Sequence, residues 1–86
     1  PGYWYLPYVG AMLEPTQADL DISVSCCAQV SYRTLDMSPD KAKRVVSKLL
    51  GDTPHWSPFE HIAVLDYNPK GSYKSWSTYR HILDNQ

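Results

Sequence analysis

The stretch from Ser38 to Gly51 carries its own start and its own stop, and no other stretch constrains the fold as much. Ser38 is a capping residue, Pro39 follows at the first helical position, where a missing amide costs least, and Asp40 sits near the positive end of the helix dipole. Ala42, Val45, Val46, Leu49 and Leu50 recur at helical spacing, and Gly51 closes the run. The segment is therefore predicted to be an amphipathic helix. Its other face carries Lys41, Lys43, Arg44 and Lys48, which reads as a solvated basic stripe, with phosphate contact as the minority reading.

Around this helix the chain is punctuated by proline. PGYWYLPYVGAMLEP, residues 1–15, is aromatic-rich and broken by Pro1, Pro7 and Pro15, so it is expected to form an extended arm lying on an apolar surface. Thr16, with Asp19 three residues on, can cap a helix reaching to about Tyr32. Leu20, Val24, Cys27 and Ser31 would lie along one face of it, and the small residues Ser25, Cys26, Cys27 and Ala28 would allow close approach by a neighbour. IAVLDY (residues 62–67), bounded by Asn68, Pro69 and Gly71, fits a strand or extended segment. YKSWSTYRHIL (residues 73–83) places Trp76, Tyr79, Arg80 and Leu83 like one side of a final helix. The expected class is α+β, mainly helical: about three helices, one short strand or extended segment and the aromatic arm, with 1–15 and 16–86 as arm and helical body of a single small domain or partial domain.

A chain of 86 residues with 43% apolar content can build one modest core. A domain of this size buries only about 60% of its unfolded surface, so a missing partner surface is plausible. The formal net charge of -1 gives no general field for nucleic acid or an anionic membrane; residues 1–32 carry -3 and the remainder +2. Adjacent Cys26 and Cys27 fit reduced, buried thiols of a cytoplasmic protein better than a disulfide or a metal knuckle. No run of about 18 apolar residues is present to span a membrane. A chain beginning at Pro1 instead of Met is expected to be a processed product or a fragment.

The chemistry concentrates in TPHWSPFEH, residues 53–61. Ser57-Pro58-Phe59-Glu60 matches a capping box, in which the Ser57 hydroxyl accepts from the Glu60 amide and the Glu60 carboxylate reaches back to the Ser57 amide. His55, His61 and Glu60 match no standard zinc spacing, and a serine used as a cap, outside a G-x-S-x-G elbow, is a poor nucleophile. A helix start beside Ser57 and His55 could instead hold an anion or a cofactor edge, with Trp56 and Phe59 as flat apolar walls. No glycine fingerprint of a Rossmann or P-loop site occurs.

H-x-S-P-F-E-H (His55 to His61), preceded by A-x-V-S-Y (Ala28 to Tyr32), resembles the flavin-dependent thymidylate synthases, whose A-R-V-S-Y and H-x-S/T-P-F-E-H segments occur in this order. PGYWYLPYV and YKSWSTYR resemble the P-G-E-W-H-L-P-Y-V and N-F-R-G-W-x-Q-Y-R segments of the phage-type branch, so the four matches span almost the whole chain. Gln29 stands where the family has Arg, and Ser75 where it has Gly. The arginine-rich signature R-H-R-x-x-S, or its phage form T-H-R-x-x-S-x-N-x-x-S-S-R, is absent; in the family it binds substrate phosphate and flavin.

The resemblance implies the C-terminal portion of an enzyme that methylates dUMP to dTMP with methylenetetrahydrofolate and FADH2, NADPH reloading the FAD. It implies Ser57, and secondarily His55, as cofactor-binding residues; the residues' own pattern gives Glu60 as a structural cap, and no catalytic or metal-binding residue is expected in this chain. Arg80 would meet a phosphate only if it pointed inward. Partners would be a missing N-terminal catalytic region or further copies in a homo-oligomer, with no nucleic acid and no membrane. The isolated chain is then expected to be inactive. Two other expectations stand beside it: a small viral accessory or degenerate protein-interaction module without catalysis, and an unrelated helical domain that shares only the capping pattern.

Overall fold

In a computed structural model, described for residues 2–30, 35–67 and 74–86, strands β1 (Gly2–Leu6), β2 (Gly10–Met12), β3 (Ala63–Tyr67) and β4 (Lys74–Thr78) accompany helices α1 (Gln17–Ala28), α2 (Pro39–Leu49), α3 (Ser57–Glu60) and α4 (Tyr79–Asp84). The strands form one antiparallel sheet in the order β2-β1-β3-β4. The class is α+β as expected. The strand content exceeds the single extended segment read from the sequence, and two of the differences have clear physical causes.

The first is the arm. It is extended, but it folds back at Pro7 and Tyr8 and pairs with β3, so the apolar surface it lies on belongs to its own chain. The Val9 amide donates to the Leu6 carbonyl at 3.2 Å, Pro7 takes the second turn position and Tyr8 the third, with φ of 71°. That geometry fits a type II turn, which requires a positive φ at this place. Gly10, at φ of 100°, then starts β2 in a conformation that side chains rarely adopt.

The second difference is the tail. Helical spacing holds only from Tyr79 onward; Lys74–Thr78 is a strand that pairs with β3 from Tyr67↔Lys74 to Ala63↔Thr78. Ser and Thr are weak helix formers, while Trp and Thr suit a pleated surface. Thr78 ends the strand and caps α4, its hydroxyl accepting from the His81 amide at 3.2 Å.

Register assigns the two faces of the sheet. Met12, Trp4, Val64 and Ser77 form one cross-strand row, and Leu6 shares their face. This face meets the core of Leu6, Leu20, Val24, Phe59, Ile62 and Tyr79. Aromatic rings link its elements: Trp56 to Phe59, Phe59 to Tyr79 and Tyr79 to Trp4, each with centroids 5.7 Å apart in edge or tilted contact. The opposite face carries Ala11-Tyr5-Ala63-Thr78 and Tyr3-Leu65-Trp76 across the strands, with no charged residue in either row. Tyr3, Tyr5 and Trp76 are 42%, 51% and 63% exposed there.

α1 starts as read, with a reciprocal capping box between Thr16 and Asp19 at 3.1 Å each way. It stops at Ala28, short of Tyr32, because Gln29 turns the chain: its side-chain amide donates to the Asp36 carbonyl and accepts from the Asp36 amide, both at 3.2 Å. Ser31 and Tyr32 lie outside the described residues. α2 has the expected start, Ser38 accepting from the Lys41 amide at 3.4 Å with Pro39 first in the helix. It packs along α1 and buries Ala42 completely. Among the described residues no helix is long and apolar enough to cross a membrane.

Candidate functional site

The His55-to-His61 stretch is fixed at both ends by backbone and in the middle by Phe59. The His55 amide donates to the Leu49 carbonyl at 2.9 Å, tying the stretch to the end of α2, and Phe59 is fully buried. α3 nevertheless begins one residue earlier than the capping-box reading requires. Trp56, in helical conformation, occupies the cap position, and its carbonyl accepts from the amides of Phe59 at 2.9 Å and Glu60 at 3.2 Å.

The Glu60 amide that Ser57 was expected to receive is thus already taken, and no side chain caps α3. Ser57 is the first helical residue and is exposed. Glu60 is likewise not a structural cap. Its carboxylate faces Arg80 at 3.5 Å, and the Arg80 guanidinium lies 5.4 Å from the centre of the Trp56 ring. Arg80 is a surface residue, 40% exposed, and this exposed ion pair contributes at most about 1 kcal/mol.

His55 and His61 do not converge. His55 lines a groove of about 510 Å³ formed by Lys41, Arg44, Val45, Lys48 and Leu49 of α2 against the end of α1 at Ala28 and Gln29. His61 lines a separate, more apolar hollow of about 450 Å³ with Tyr5, Pro7, Tyr8, Cys27 and Val30. Ser57 lines neither. Among the described residues no three His, Cys, Asp or Glu side chains gather as a metal site would require.

Sequence reading left the basic stripe of α2 as a solvated face, and the structure divides it. Lys41, Arg44 and Lys48 line the groove, whereas Lys43 faces a shallow depression on the outer side with Arg44, Ser47 and Lys48. The usable signal was the spacing of three, then four residues from Lys41 to Lys48, which keeps these cations on one side of a helix.

Burial pushes both thiols up. The Cys26 thiol is also raised by the charge of Asp36, and that of Cys27 by Cys26. They are free and, so shifted, poor nucleophiles at neutral pH. The Asp36 carboxyl is held below the usual carboxylate range, first by the backbone and side-chain hydrogen bonds of Ser38 and then by Lys41 and Arg44.

Compared with protein-family models, curated proteins and solved structures, the chain gives no significant match.

Proposed function

We propose that this chain is the C-terminal portion of a flavin-dependent thymidylate synthase and that Ser57, with His55 beside it, forms one wall of the FAD site. The observation that carries this reading is the exposure of Ser57 at the first helical position. The Trp56 carbonyl takes the amides at the helix start, so the hydroxyl at the position resembling the family's flavin-contacting Ser or Thr is left for an external partner.

The residues present fit that role in kind. A hydroxyl can donate to or accept from a polar ring edge. The turn carrying it is held from below by the buried Phe59 ring and its edge contact with Trp56, so Ser57 is presented from a rigid support. When bound and reduced by NADPH to FADH2, the flavin would supply the hydride that completes the methyl group of dTMP, and methylenetetrahydrofolate would donate the carbon. The part of this chain is to bind and orient. Positioning of dUMP and activation of its pyrimidine would fall to the arginine-rich signature, which this sequence lacks and another polypeptide segment would provide.

Complementation of a thymidine-requiring host tests the proposal. The chain alone is expected to give no growth without thymidine, and co-expression with a segment carrying T-H-R-x-x-S is expected to restore it. Growth with this chain alone would place the catalytic groups here after all and overturn the division of labour.

A second reading, a protein-interaction module without catalysis, is favoured by the two uncharged cross-strand rows of the outer sheet face with their exposed Tyr3, Tyr5 and Trp76. Under that reading, substitution of Ser57 would leave the restored growth unchanged and substitution of Trp76 would abolish it.

A further inference from the structure

Lys41, Arg44 and Lys48 are three cations without a carboxylate within ion-pair distance among the described residues, where the single ion pair joins Arg80 to Glu60. Lys41 and Arg44 help hold the Asp36 carboxyl down, but that carboxylate accepts from the Ser38 amide at 3.0 Å and does not line the groove. Helix stability does not account for all of this charge. Lys41 stands in the first turn of α2, where the dipole disfavours a cation by a few tenths of a kcal/mol. His55, brought in by its backbone bond to Leu49, adds a ring nitrogen to the same wall, and Val45 and Leu49 supply an apolar lining.

We propose that this groove binds a small phosphate-bearing molecule. Arg44 would form a forked contact with phosphoryl oxygens, Lys41 and Lys48 would flank it as point charges, and His55 would donate a hydrogen bond. A volume of about 510 Å³ is in the range of small-molecule sites, and a chain of net charge -1 has no far field to gather a long polyanion. The proposal shares His55 with the flavoenzyme reading but not Ser57, which lies outside the groove lining, so a shift at Ser57 belongs to that reading alone and shifts at Lys41, Arg44 and Lys48 to this one. The competing account is that these cations only offset the carbonyl end of α1, which has no basic residue in its last turn.

The test is a titration of the isotope-labelled full chain with inorganic pyrophosphate at low salt, followed by amide chemical shifts. Saturable shifts are expected at Lys41, Arg44, Lys48 and His55, with Kd of about 1 mM or tighter. Joint Lys41→Gln, Arg44→Gln and Lys48→Gln substitution should weaken binding about tenfold or more, and Lys43→Gln, on the same helix but off the groove, should change it less than about twofold. If the triple variant does not fold, Arg44→Lys keeps the charge and removes the fork, and a severalfold weaker Kd is expected. Absence of saturable shifts, equal loss in Lys43→Gln, unchanged affinity in the triple or the Arg44→Lys variant, or binding of an oligoribonucleotide but not of pyrophosphate would each overturn the proposal.

Discussion

Cys26 and Cys27 differ in exposure, the first fully buried and the second half-buried, yet burial is the main cause of a raised thiol pKa in both. The consequence for stability has a definite sign. The folded chain holds these protons more tightly than the unfolded chain does, so the contribution is fully present below the unfolded thiol value of about 8.5 and is lost as pH climbs through the folded values. The urea midpoint should therefore decline above about pH 8.5 more steeply in the native sequence than in a Cys26→Ala, Cys27→Ala variant. Parallel profiles would contradict the burial argument.

At the level of elements, two sequence patterns that look alike have different outcomes. Thr16 and Asp19 close a full capping box, while Ser57 and Glu60 form none, because the backbone conformation of Trp56 moves the helix start by one residue. Thr16→Ala is accordingly expected to cost about 1 kcal/mol, and Ser57→Ala to stay within about 0.5 kcal/mol of the native value in denaturant unfolding. A larger loss at Ser57 would restore it as a cap. The same contrast marks what could be read from the sequence. α2 was legible because Ser38 and Pro39 act within a few residues of its start. β4 was not, because Trp76 takes its place from pairing with Leu65, a partner distant along the chain and invisible to local spacing.

Across the whole molecule, α1, α3, α4 and the inner sheet face share one core, and the ring series Trp56, Phe59, Tyr79, Trp4 runs through it. Local pattern foretold the helical members and the extended arm; the closure of that arm into a sheet depends on long-range register and was missed. The candidate site was legible in the same uneven way. Ser57 and His55 stood out by motif, but the separation of His55 from His61 into two hollows follows from how α1, α2 and β1 surround the turn. Contact between Ser57 and flavin is central to the proposed function, and amide-shift mapping of the labelled chain with FAD examines that contact even if binding is weak. The expected result is a saturable shift at Ser57 and His55 that pyrophosphate does not reproduce at Ser57. Shifts confined to Lys41, Arg44, Lys48 and His55, or none at Ser57 at saturating FAD, would contradict the flavin assignment.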